Sequence, residues 1–175
     1  MGVRLRNEEG FLLIELIAAV VIISVALLAL LGAYDEAWFS LRSGSKDSSA
    51  GMIANNQLEL YASLQYSSIG LDATTLASTK ASDTTYTSDE AALPGTGTDV
   101  TISGCGTSAQ CLPTQTVTGA DGKSYRLETF IRSIANPSAA TWSEKVVTVI
   151  VRDPSKAGDP KVVTLQTAFD SGPSS

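Results

Sequence analysis

The 175-residue chain contains no histidine. That removes the commonest general acid–base group and the commonest metal ligand. A Ser or Cys nucleophile has no imidazole here to activate it. Basic residues are also few: 12 Lys and Arg against 18 Asp and Glu leave a net charge of −6, and no basic cluster occurs. Binding driven by phosphate neutralisation needs a basic patch or stripe, so no nucleic-acid partner is expected. There is no P-loop and no Gly-rich dinucleotide loop. The adjacent carboxylates Asp35-Glu36 and Asp89-Glu90 read as solvated. Nothing favours an enzyme, and neither a cofactor nor a metal ion is expected.

Cysteine is scarce as well. Cys105 and Cys111 stand close together in "SGCGTSAQCLP". Such a pair can be a disulfide, part of a metal site or two free thiols. A zinc site needs about four ligands, and no further Cys or any His is present. If this part of the chain lies outside the cytoplasm, a disulfide is the expected state. Closing so short a loop contributes only about 2 kcal/mol in the chain-entropy model, enough to shape a loop but not to hold a fold.

Hydrophobic residues make up 43% of the chain, too many for a disordered tail, but they are unevenly spread. From Phe11 to Leu31 every residue is apolar or small except Glu15 and Ser24. As a helix this run is roughly 30 Å long, matching the hydrocarbon core of a bilayer. Arg4 and Arg6 precede it, which predicts a cytoplasmic N-terminal end and an external remainder. A secretory signal peptide would have a shorter apolar region and a small-residue cleavage site, and only a weak one lies near Ala33. A plain single-span anchor fits the length but leaves Glu15 unexplained. A carboxylate in a spanning helix costs a few kcal/mol near the centre and less near an end, so it needs a partner.

The stretch Gly10-Phe11-Leu12-Leu13-Ile14-Glu15, after a short charged leader and before an apolar helix, resembles the type IV prepilin signature. That family includes type IV pilins, type II secretion pseudopilins and competence pseudopilins. The resemblance covers about residues 5–35, and Leu12 stands where the motif usually has Thr. It implies that a membrane prepilin peptidase removes residues 1–10 by cutting between Gly10 and Phe11, and that the new amine of Phe11 is N-methylated. It implies further partners: other pilin subunits and an assembly platform in the membrane, driven by ATP. Cleavage would leave the apolar run, residues 11–34, on the mature protein with a cationic amine at its tip. Glu15 could then neutralise the Phe11 amine of its own or a neighbouring subunit, and the pair would act as a register check on assembly.

Beyond residue 34, residues 35–175 read as an extracytoplasmic domain. Helical spacing of Ala37, Trp38, Leu41, Met52, Ile53, Leu60 and Leu64 predicts that the helix continues to about residue 64. Gly32 is a plausible bending point. Residues 66–120 are dense in Ser, Thr, Gly and Asp and read as a long loop with one short strand around Val100–Ser103. After the turn signal Asp121-Gly122, "SYRLETFIRSI" alternates at strand period. "KVVTVIVRD" and "KVVTLQTAF" read as a hairpin over residues 145–169. Asp153 and Asp159 flank its connection; such oxygens can bind calcium, but aspartates beside prolines more often make turns. The expected class is α+β, with a long helix covering one face of a small antiparallel sheet across residues 121–170. This is also the pilin-type architecture.

Three functional classes follow. The first is a structural subunit of a type IV pilus or pilus-like filament, more minor than major; "ANNQLELYASLQYSSIGL" and the closing hairpin are similar to minor pilins and pseudopilins. The second is a pseudopilin of type II secretion or DNA uptake. The third is a membrane-anchored surface domain that binds a ligand through its Ser/Thr-rich loop and never polymerises. The first two imply residence in the cytoplasmic membrane, then in an extracellular pilus or periplasmic pseudopilus.

Overall fold

The computed structural model describes residues 9–95, 97–135 and 143–171. The leader expected at residues 1–10 lies outside this range up to residue 8. A single long helix, α1 (Glu9–Ala62), opens the chain. It passes through Gly32, Gly44 and Gly51 without a break, each with open space where a Cβ would be. It ends where Ser63 N–H bonds the Glu59 carbonyl at 3.0 Å and the Ser63 hydroxyl caps the Leu60 carbonyl at 2.7 Å. By contact the chain forms two compact units, residues 1–44 and 45–175.

The second unit is built on a five-stranded sheet. Strands β5 (Ser124–Ala135), β6 (Ser143–Arg152) and β7 (Lys161–Asp170) are antiparallel neighbours. The other edge of β5 is shared by β4 (Thr114–Thr118), which pairs with its start, and β2 (Thr98–Asp99), which pairs with its end. A separate parallel pair joins β1 (Leu71–Asp72) to β3 (Thr101–Ile102). The β4–β5 turn is closed by Gly122, whose φ of 74° is one an L side chain rarely adopts.

Alternation along β5 sorts its side chains onto two faces. Tyr125, Leu127, Thr129 and Ile131 share one face with Val147, Val149 and Val151 of β6, all buried. The C-terminal part of α1 covers this face with Ala50, Ile53, Ala54 and Tyr61, which are buried in the same core. The buried stripe is thus i, i+3, i+4, i+11 and includes two alanines. It differs from the stripe expected from large apolar residues: Ile53 belongs to it, but Met52 is 53% exposed and Leu60 only half-buried.

The opposite face is where the structure departs from expectation. Residues 66–120 are no simple loop: they contain α2 (Ala73–Ser82) and α3 (Thr84–Ala92). Asp72 starts α2 by accepting from Thr74 N–H and Thr75 N–H at 3.1 and 3.0 Å. Asp83 starts α3 in the same way, accepting from Thr85 and Tyr86 N–H at 3.1 and 3.0 Å. Helix α3 lies over the second face of the sheet. Tyr86 stacks on Phe130 with centroids 4.4 Å apart and donates its hydroxyl to the Thr129 carbonyl at 2.9 Å. The sheet is therefore covered on both faces, which is why β6 is buried without interruption from Val146 to Arg152. The fold is α+β, a long N-terminal helix with a small antiparallel sheet, and it matches the pilin-like description.

Two substitutions separate the observed packing from the expected stripe. Phe130→Ala empties the α3–sheet contact and should cost about 3–5 kcal/mol, whereas Met52→Ala should cost less than about 1 kcal/mol. Urea unfolding of the detergent-solubilised chain, followed by near-UV circular dichroism, measures both.

Candidate functional site

The first unit consists of α1 alone up to Gly44, and its apolar residues have nothing to pack on. Leu13, Ile14, Leu16, Ile17 and the large side chains after them to Leu41 are all exposed, mostly between half and three-quarters. The most apolar stretch has a mean hydropathy of 2.9 with none of it buried, so the helix is long and apolar enough to cross a membrane. Of the two polar side chains between Phe11 and Leu31, one is satisfied internally: the Ser24 hydroxyl donates to the Val20 carbonyl at 2.7 Å. The other, Glu15, is exposed and has no ion-pair partner among the described residues. Gly10 and Phe11 lie on the same helix by their backbone. Glu15 follows Phe11 by four residues, about 6 Å further along the helix axis.

The structure joins the expected cysteine pair. Cys105 and Cys111 form a disulfide with Cα atoms 6.0 Å apart. The loop they close is seated on α1. Its Gln110 carbonyl accepts from the Tyr61 hydroxyl at 2.6 Å, and its Ala109 carbonyl accepts from Gln57 Nε2 at 3.4 Å and Gln115 Nε2 at 3.1 Å. The bridged loop supplies backbone acceptors to the buried Gln57 amide and Tyr61 hydroxyl, which also bond each other at 3.5 Å.

Asp153 is occupied by protein groups, whereas among the described residues the Asp159 carboxylate meets only Arg126, at 4.0 Å, and its other oxygen has no hydrogen-bond partner. Asp153 makes an Asx turn with Ser155 N–H at 3.1 Å and an ion pair with Lys46 of α1 at 2.5 Å. Burial alone would raise its pKa, but the bonds from Lys46 and Ser155 outweigh that and hold it at about 2. Asp159 sits at φ 47° in the connection, and Arg152 donates to its carbonyl. No group of three or more metal-ligating side chains occurs among the described residues.

A buried charge cluster, invisible in the sequence, lies between α3 and the sheet. Glu128 of β5 is fully buried. Arg126 reaches its Oε1 at 2.8 Å and Arg152 Nε its Oε2 at 3.3 Å. Arg152 also grips Asp89 of α3 at 2.5 Å, and Lys161 of β7 holds the second Asp89 oxygen at 2.9 Å. Asp83 caps α3 and pairs with Arg126. The strand register places Arg126 directly opposite Arg152, a repulsive pair that these three acids neutralise. Burial pushes Glu128 up, the Asp89 carboxylate beside it pushes it further, and the two arginines pull it back, leaving it at about 7. Asp89 also loses water on burial, yet Arg152 and Lys161 bring it below the usual carboxylate range. The strand-period alternation in "SYRLETFIRSI" puts Arg126, Glu128 and Phe130 on one face but does not say what covers that face. Only the two Asp caps before Thr-Thr, at Asp72 and Asp83, signalled helices that would cover it.

Glu128 gives a signed pH dependence. Its native pKa exceeds the unfolded value of about 4.5, so stability is fully present below that pH and declines as pH rises towards about 7. The contribution is on the order of 3 kcal/mol. Asp153, depressed to about 2, acts oppositely: its stabilisation is present above about pH 4 and is lost on further acidification. Thermal unfolding should be highest near pH 4–5, and Glu128→Gln should flatten the decline between about pH 5 and 7 while keeping the acid-side loss.

Comparison with known protein families, with curated proteins and with solved structures finds no match to this chain.

Proposed function

We propose that this chain is a structural subunit of a type IV pilus or a type IV pilus-like filament, and a minor subunit of it. One observation carries the reading: Glu15 is the single charge in the apolar run of residues 11–34, which is exposed from Leu13 onward, and it stands one turn from the Phe11 that the prepilin-like motif marks as the mature terminus. The exposed run asks for lipid before assembly and for neighbouring helices after it. A membrane prepilin peptidase would hydrolyse the Gly10–Phe11 bond, freeing an ammonium at the head of the helix. That cation and the Glu15 carboxylate sum to zero charge. A subunit whose Glu15 meets an amine enters a low-dielectric core at a cost far below that of an unpaired carboxylate. Register between subunits would follow from that pairing. The globular unit, with a core of its own, would decorate the filament surface.

Mass spectrometry of the mature protein should show an N-terminus at Phe11 carrying one methyl group. An intact Met1 start would support the non-polymerising anchor instead. In isolated filaments Glu15→Ala should fall at least about tenfold below wild type, the factor expected for losing about 1.4 kcal/mol of pairing. Incorporation of Glu15→Ala at the wild-type level would remove the register role. Trace abundance in those filaments supports a minor subunit, and bulk abundance a major one.

A further inference from the structure

Past the apolar run, α1 changes character without leaving the helix. Tyr34, Trp38 and Phe39 are 69%, 53% and 77% exposed. Tyr34, Trp38 and Arg42 recur at every fourth residue and so lie on one face. The Arg42 guanidinium sits 5.8 Å from the Trp38 ring centroid, a cation–π contact on an open surface. Asp35 and Glu36 enter at the same level, the first charges after Glu15.

Their heights match the layers of a bilayer. Phe11 to Leu31 fills about 30 Å of hydrocarbon. Tyr34 then lies about 5 Å beyond Leu31, Trp38 about 10 Å and Arg42 about 16 Å. Helical side chains lean towards the N-terminus and cover the preceding turn, so the Trp38 ring reaches back over the level of Tyr34. That level is the headgroup layer, where rings with an apolar body and a polar tip are favoured. Arg42 is one turn further out and bends back along Trp38, placing its charge at phosphate height.

We propose that the Tyr34–Trp38–Arg42 face of α1 is a collar that binds the phospholipid headgroup layer on the external side and sets how deeply the helix sits. Trp38 and Tyr34 occupy the glycerol-ester level, and Arg42 contacts lipid phosphate. The inference rests on the membrane-anchored half of the proposed function and not on filament assembly. A second copy is the weaker occupant. Helices packed closely within lipid favour small residues at their contact, and this face carries two large aromatic rings and a cation. Direct continuity with the apolar run, and the appearance of acids where the hydrocarbon ends, both point to lipid.

The chain has two tryptophans, Trp38 and Trp142, the latter outside the described residues. Full-length protein carrying Trp142→Phe therefore reports on Trp38 alone. It would be reconstituted into vesicles of phosphatidylcholine and phosphatidylglycerol whose acyl chains are brominated either near the glycerol end or near the chain end. The expected result is co-flotation with vesicles and blue-shifted emission, with shallow bromines quenching more than deep ones by a factor above about two. Arg42→Gln should reduce the gain in shallow quenching that phosphatidylglycerol gives over phosphatidylcholine alone. Protein that does not float overturns the anchor and the collar together. Protein that floats with an unquenched, water-exposed Trp38, or with equal quenching at both depths, overturns the collar and leaves the anchor standing. Trp38→Phe in the otherwise natural chain gives a second reading if Trp142→Phe folds poorly: the shallow quenching should disappear.

Discussion

Ten consecutive residue pairs between β5 and β6, from Arg126 opposite Arg152 to Ala135 opposite Ser143, set the geometry of the globular unit. Their register decides which residues face α1 and which face α3. A slip by one residue would exchange the two faces, putting Glu128 against the alanines of α1 and Leu127 against Asp89. Neither contact is tolerable in a closed interior, so the buried acid and the buried aliphatic residues enforce one alignment together. The charge cluster is better read as a device for specificity than as a source of net stability, since its desolvation opposes its pairing. The elevated position of Glu128 expresses that balance: its two arginines do not fully offset what burial takes away.

The long apolar segment and the three closing strands were legible because each has an unambiguous period or length. Residues 11–31 leave no alternative to an apolar helix, and β6 and β7 are β-branched runs bounded by Pro and Gly. Helices α2 and α3 escaped notice for a physical reason. They are short, rich in Thr, Ser and Ala, and each buries a single large side chain, Leu76 in α2 and Tyr86 in α3. One anchor per helix produces no 3.6-residue pattern; their existence is encoded by caps and by tertiary contact. The contact face of α1 was read only in part, with Ile53 and Leu64 placed on the core but Met52 misplaced and the alanines missed, for a related reason. Large apolar residues draw the eye, whereas Ala50 and Ala54 are the fully buried positions on this part of α1, along with Tyr61. The disulfide was foreseen as a loop staple. That its loop would serve as acceptor for Gln57 and Tyr61 depends on the fold and could not be read from spacing.

The two units satisfy their side chains in different ways. Residues 45–175 bury Tyr61, Tyr86 and Tyr125 completely or nearly so and form a contiguous core. Residues 13–41 bury no large side chain at all. The hydrophobic effect stabilises the former from within and leaves the latter dependent on surroundings that exclude water. Under the proposed function this division is useful: a domain that folds on its own contacts can be carried by a rod whose contacts change from lipid to protein.

The two acids Glu128 and Glu15 pose the same electrostatic problem and meet opposite answers within the chain. For Glu128 the fold brings two arginines within ion-pair distance, and even then burial and the Asp89 carboxylate keep its pKa raised to about 7. For Glu15 the described residues bring nothing, although the run around it is at least as apolar. A carboxylate there stays tolerable only near water, near a helix N-terminus or beside a cation from elsewhere. Cleavage before Phe11 would supply the last two at once, by creating a helix terminus one turn from the acid and an ammonium upon it. Residues 11–34 contain no lysine or arginine, so under the proposed function that ammonium, of the same or a neighbouring subunit, is the cation within reach of Glu15.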